Sequence, residues 1–332
     1  MITHTPHLRY LLCALGFLLG RTLLAAEPAD KPPAAIPPAD ATPEVSLDEP
    51  TGKYIRLLRD DDDRPVEMQT AIVSFGADDK DRAGLTVDLI AAVHIGEKEY
   101  YERLNRQFAK YDALLYELVA PEGTRVPKGG AKSSHPVGKV QTMMKDMLDL
   151  DFQLDHVDYH QDNFVHADMS PEKFSKSMSD RGESIWAIMF RALGQSVAQQ
   201  SKHPDRSFDA DLLLALFDKN RALALKRVLA EQFEDLEGAM SAFNGPDGST
   251  LITERNKRAL EVLDREIKSG KKRLAIFYGA GHLPDMARRL IEDFHLKPRR
   301  EQWVMAWDLH PPAKQAKPAG KKASPKPAGA VP

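Results

Sequence analysis

The stretch LTVDLIAAVHIGEKEYYERLNRQFAKYDALLYELV, residues 85–119, decides the fold class. Its first ten residues grow continuously apolar toward His94, which predicts a strand of the fully buried type. Tyr101, Leu104 and Phe108 then recur at helical spacing and predict a helix over about 97–109. ALLYELV (113–119) reads as a second short buried strand. Strand, helix and strand in this compass form a βαβ unit, which implies parallel pairing.

The pattern continues on both sides. VEMQTAIVSF (66–75) alternates well enough for a strand and is joined to the first by the charged turn GADDKDRAG. Downstream, VGKVQTMMKDMLDL (137–150) is amphipathic, NFVHADM (163–169) is a short strand, and Pro171 opens a helix at its first turn. Helical patterns follow at 182–200, 208–217 and 219–236, then the turn cluster NGPDG at 244–248. Ser249 or Thr250 caps a helix over 251–268. KRLAIFYGAGH (272–282) is a strand and a glycine turn, LPDMARRLIEDF a helix, and EQWVMAWDL (301–309) a last strand. Strand–turn–His thus occurs twice, at His94 and His282, each time before a helix with Leu and Phe four apart: Leu104/Phe108 and Leu290/Phe294. The expectation is an α/β domain over 65–310, a duplicated βαβ design with a mainly parallel sheet and a helical insertion in the middle.

Composition bounds the function. The chain has 332 residues, 42% hydrophobic and 29% charged, which fits a globular protein. A formal charge of −3 gives no global basic field for nucleic acid. The single cysteine, Cys13, excludes a disulfide scaffold or a thiolate metal centre, so any metal chemistry must use His and carboxylates. Residues 1–26 read as a secretory signal: Arg9, the apolar run YLLCALGFLLG (10–20), then small residues to Ala25-Ala26. Arg21 interrupts that run, which would serve as a short membrane tether if uncleaved. Cleavage after Ala26 would remove the only thiol, as suits an oxidising compartment. The chain would then be periplasmic or extracellular. Residues 27–64 are expected to be a Pro/Ala-rich spacer, and 311–332 a Lys/Pro/Ala tail, solvated or in contact with an anionic envelope surface.

Chemistry concentrates at strand ends. His94 and His282 close apolar strands, and Glu117 stands near the end of a third. In open parallel sheets, ligands bind outside these carboxyl ends. Two imidazoles and a carboxylate there make a metal or acid–base site. A carboxylate between Tyr116 and Leu118 in a buried strand also costs several kcal/mol unless paired. In helix 251–268, Ile252, Ala259, Leu260, Leu263 and Ile267 form the apolar stripe, with Asn256 at its centre and Arg255 at its flank. Both need partners, and Arg255 could meet Glu117 or a substrate carbonyl. Glu254 points away from the stripe and reads as a first-turn acid. Asp168 is divided between a site carboxylate and a helix N-cap. His156, His160 and His166 read as structural or surface residues, since no HExxH pattern accompanies them. There is no phosphate loop, GxGxxG or GxSxG.

AxxH at 91–94, LLYELV with Glu117, HADM with Asp168, TERN at 253–256 and FYGAGHLPDM at 277–286 together resemble the TraB/GumN/TIKI family. That family is grouped with erythromycin-esterase-like and haem-binding ChaN-like proteins. The likeness runs over roughly 85–300. Its hallmark of two GxxH motifs, a Glu and an Arg is met by Gly279–His282, Glu117 and Arg255; Ala91 replaces the glycine of the first motif. The resemblance implies a duplicated α/β domain with the site between its halves. It also implies an exported metal-dependent hydrolase acting on peptide or protein substrates. His94, Glu117 and His282 would hold Mn, Co or Zn, Arg255 would stabilise an oxyanion or orient Glu117, and Glu254 and Asp168 would be further catalytic candidates. The alternative is a haem or small-ligand carrier on the same scaffold, using His94 or Tyr278.

Overall fold

In the computed structural model of the chain, residues 45–46, 53–124, 126, 147–183, 208–243 and 248–311 are described. The strand β3 (Pro65–Gly76) turns back into β4 (Thr86–Ala92), antiparallel, with Val73 opposite Leu89. β4 ends two residues before His94, which lies in the step to the short β5 (Ile95–Gly96). Helix α1 (Lys98–Phe108) buries Tyr100, Tyr101, Leu104 and Phe108, the face predicted for it. It returns the chain to β6 (Ala113–Tyr116), so that Glu117 stands just past the strand end.

The middle of the chain supplies β7 (Asp151–Phe152), the one-turn helix α2 (Gln153–His156), β8 (Phe164–His166) and α3 (Pro171–Asp180). Helices α4 (Phe208–Leu216) and α5 (Arg221–Phe243) follow. A π turn over Thr250–Glu254, capped by Ser249, leads into α6 (Arg255–Lys268). Then come β9 (Arg273–Gly279), a 3-10 turn over Ala280–His282, α7 (Leu283–Glu292) and β10 (Lys297–Asp308). Among the described residues, no helix is long and apolar enough to cross a membrane. The amphipathic segment 137–150 lies mostly, and the pattern at 182–200 almost wholly, outside the described residues, as do the N-terminal segment 1–26 and the tail beyond residue 311.

The chain is an α/β fold around a mixed eight-stranded sheet. Its order is β1-β10-β3-β4-β9-β6-β8, where β1 is Val45–Ser46 and β2 (Ile55–Arg59) also pairs with β3. β4, β9, β6 and β8 are parallel neighbours, while β3 runs against both β4 and β10. β10 therefore points the same way as β4 and β9. Both β4–α1–β6 and β9–α7–β10 are strand–helix–strand crossovers between strands of one direction. The pairing differs from the local reading in one respect. β6 is not the neighbour of β4, because β9 lies between them: Ile276 faces Leu89 on one side and Leu115 on the other, and all three are fully buried.

The spacer expected over 27–64 is shorter than its boundaries implied. Val45–Ser46 pairs with β10, and β2 pairs with β3. The Pro/Ala composition ends before Tyr54, and the alternation that buries Ile55 and Leu57 lets IRLLR add a strand. β10 also begins four residues earlier than predicted, because Pro298 and Arg300 find partners on β3 despite the charged run KPRRE.

Phe277 on the central strand is 1% exposed and packs 4.8 Å from the Phe108 ring centroid. Phe277→Ala should lower unfolding free energy by about 3–5 kcal/mol in urea titrations. Leu214→Ser, at a 71% exposed position, should change it by less than about 0.5 kcal/mol.

Candidate functional site

Arg255 is the first residue of α6, and its side chain is directed into the protein rather than out of it (6% exposed). Its Nε and Nη2 donate to Asp168 Oδ1 and Oδ2 at 3.0 and 2.6 Å. Nη2 also donates to Glu117 Oε1 at 2.6 Å. One guanidinium thus joins the carboxylates that follow β6 and β8. The other Glu117 oxygen, Oε2, accepts the backbone N–H of Gly279 at 2.7 Å. A Cβ on Gly279 would meet that oxygen at 3.3 Å, so the glycine is what lets Glu117 come this close to β9.

His282 lies at the end of the 3-10 turn that follows β9, fully buried. Its Nε2 is 3.8 Å from Glu117 Oε1 and 3.4 Å from Arg255 Nη1. Its Nδ1 is 2.7 Å from Asn256 Oδ1. Asn256 in turn donates through Nδ2 to the His282 carbonyl and to Asp285 Oδ2. Both protons of that amide are therefore engaged and its oxygen faces the imidazole, so His282 carries its proton on Nδ1.

The charges follow from this packing. Burial alone would raise the Glu117 carboxyl, but Arg255, with His282, His94 and the Gly279 amide, holds it well below the usual carboxylate range. Burial, seconded by Arg255, pushes His282 down to about 4 against the opposing pull of Glu117. Burial opposes the charge on Arg255, yet Glu117 and Asp168 raise its pKa further above the ordinary value. At neutral pH the site is an ionised Glu117, an ionised Arg255 and a neutral His282.

The structure brings Glu117, Asp168, Arg255 and His282 together. His94 is half-buried, lies close enough to act electrostatically on Glu117, and accepts the Gln153 N–H through its carbonyl at 2.9 Å. Among the described residues, no three His, Cys, Asp or Glu side chains stand close enough to hold a metal ion between them. Of the candidate ligands, Glu117 and His282 approach each other to 3.8 Å. Glu254 does not join the cluster: its carboxylate pairs with Lys257 at 2.9 Å and Arg181 at 3.6 Å on the surface. Asp168 is not the cap of α3, a position held by Ser170. His156, His160 and His166 engage Asp151, Asp158 and the Leu118 carbonyl, in agreement with their reading as structural residues. Tyr278 donates its hydroxyl to the Ala167 carbonyl at 2.7 Å, and burial raises its pKa well above normal. Sequence reasoning missed Asp285 and the Gly279 amide. Asp285 lies in the first turn of α7, where an acid is ordinary, and nothing local marks which amide a carboxylate will find.

Removing Arg255 should leave two buried carboxylates facing each other. Arg255→Met is expected to cost about 3–5 kcal/mol of stability by denaturant titration, and Asp168→Asn less. His282 adds a pH signature. Its folded pKa of about 4 lies below the unfolded value near 6.5, so the unfolded chain binds a proton first as pH falls. Its contribution should drop between about pH 6.5 and 4 at up to about 1.4 kcal/mol per pH unit. The Glu117 contribution, present above the unfolded carboxylate pKa, is lost at still lower pH. Titrations of His282→Asn should show a shallower fall over the first window. No protein-family model, no curated protein and no solved structure matches this chain.

Proposed function

We propose that the chain is an exported metal-dependent hydrolase, acting on peptide bonds at the carboxyl edge of β6, β8 and β9. The observation that carries this reading is the buried pair of His282 Nε2 and Glu117 Oε1, 3.8 Å apart, with the Arg255 guanidinium beside both atoms. The order of motifs that resembles the TraB/GumN/TIKI family supports the same reading, as does the signal-like segment 1–26.

The donor chemistry fits a divalent ion such as Mn, Co or Zn. Neutral imidazole and ionised carboxylate are the states that ligation requires, and both hold throughout the neutral range. His282, held at about 4, takes up a proton weakly near pH 7, and Glu117 is held lower than an ordinary carboxylate, so ligation is the role proposed for both. Glu117 and His282 would hold the ion, with His94 reaching in from the more exposed side. A bound ion would supply a water of lowered pKa and polarise the scissile carbonyl. The rest is the work of this chain. Arg255 keeps Glu117 ionised and oriented rather than contacting the substrate, since it is 6% exposed and bonded to both acids. Asp168 holds that guanidinium from below, and Asn256 holds the ring of His282. No observation at the site favours haem over this reading. The Lys-rich tail would serve as a contact with anionic envelope polymer.

The test is metal titration of the chelator-treated full chain with Zn, Mn and Co, beside a peptide-library cleavage assay. One ion per chain and metal-restored cleavage are expected. Glu117→Gln and His282→Ala should each weaken metal binding by well over about tenfold and abolish cleavage, while circular dichroism stays unchanged. Full cleavage by His282→Ala would overturn the proposal, as would a Soret-absorbing pigment on the purified chain with no metal binding.

A further inference from the structure

Asp285 belongs to α7, three residues beyond His282, and touches none of the groups assigned above to metal or substrate. Three donors converge on its carboxylate. Asn256 Nδ2 and Arg289 Nε reach Oδ2 at 2.9 Å each, and Arg288 Nη2 reaches Oδ1 at 2.8 Å. These bonds hold the carboxylate on one side of the buried Asn256 amide, which is fully inaccessible to solvent.

We propose that Asp285 is a positioning residue that fixes the tautomer of His282 by locking the side-chain amide of Asn256. An Asn amide presents an acceptor on one side and donors on the other, and it can rotate to exchange them. In the observed orientation Nδ2 faces two acceptors, the His282 carbonyl at 3.0 Å and Asp285. Rotation would set Oδ1 against a carboxylate and a carbonyl, a repulsive arrangement with no solvent to relieve it. The amide is therefore held with Oδ1 toward His282 Nδ1, and an oxygen can only accept. That requires the proton on Nδ1 and leaves Nε2 as a lone pair toward Glu117 and Arg255.

The lock has something to oppose. With the proton on Nε2, the ring would point an N–H at Glu117 Oε1, 3.8 Å away, an attractive arrangement for an ionised carboxylate. Arg255 Nη1, 3.4 Å from the same nitrogen, favours the lone pair instead. The two charges beside Nε2 pull in opposite directions, and the bond on the far side of the ring, enforced through Asn256 by Asp285, decides between them. Without the lock, the Nε2–H form gains population, and in that form Nε2 can neither bind a cation nor accept a proton. The value of the lock to the chain rests on the hydrolase reading, whereas the tautomer itself does not.

Side-chain 15N NMR of histidine-labelled full chain at pH 7.5 distinguishes the two tautomers, with the His282 signals assigned by their loss in His282→Gln. The wild type should show the Nδ1–H form. Asp285→Ala should move the tautomer ratio toward Nε2–H by about tenfold or more, the effect of losing one charge-assisted hydrogen bond. Asp285→Asn, which keeps an acceptor, should stay close to wild type. An Nε2–H wild type would overturn the proposal whatever the Asp285 variants do. An unchanged ratio in Asp285→Ala would overturn it as well, as would a shift in Asp285→Asn as large as that in Asp285→Ala. Because the readout is the ring and not turnover, a chain that cleaves no peptide still tests the lock, and a cleaving chain with an indifferent tautomer would reject the lock alone.

Discussion

Taking the Arg255 guanidinium out of water costs several kcal/mol, and so does each carboxylate buried beside it. The arrangement is tolerable only because Nε and Nη2 reach Asp168 in a two-pronged bond and Nη2 reaches Glu117 as well. Those acids follow two parallel strands, and the arginine opens a helix that precedes a third. The ion cluster therefore ties β6, β8 and α6 at one point. Any sheet register that separates them leaves a charge without a partner, which is a severe penalty in the interior. Much of the architecture at the carboxyl edge follows from keeping this triad closed.

The insertion of β9 between β4 and β6 is what gives the triad its chemistry. β9 brings the Gly279 amide to Glu117 and then, in one 3-10 turn, sets His282 beside it. Had β4 and β6 been direct neighbours, Glu117 would lack that amide and His282 would lie elsewhere. The absence of a side chain at Gly279 is part of the same geometry, because Glu117 occupies the space a Cβ would crowd. The imidazole is kept neutral by burial and oriented by Asn256, so ion cluster and histidine form one connected polar network inside an apolar shell. Such networks favour one arrangement when every member is satisfied.

Several parts of this were legible in residues alone. Glu117 interrupts a strand that is otherwise apolar, and a charge in that setting announces a partner; Arg255 at the edge of an apolar helical stripe announces the same from the other side. Asn256 at the centre of that stripe was a third such signal, and its partners are His282 and Asp285. Asp168 and Glu254 show the limit. Both are acids beside helix starts, and nothing within a few residues of either tells that one is buried against Arg255 while the other pairs with Lys257 at the surface.

Periodicity belongs to the local chain, so the sequence by itself determined the α/β class, the helix faces of α1 and α6, and the strands that end near His94, Glu117 and His282. The alternation of two residues or three to four is a property of each segment and survives in any context. Strand order is not such a property. Which strand lies between β4 and β6 depends on the sum of side-chain packing across the whole sheet, and Leu89, Ile276 and Leu115 are equally apolar in any order. Only the tertiary structure decided that order, and with it the distance of 3.8 Å between His282 and Glu117 and the turn of one buried amide that sets where a proton sits. These are questions of ångströms between residues far apart in the chain, and hydrogen bonds respond to ångströms where sequence patterns do not.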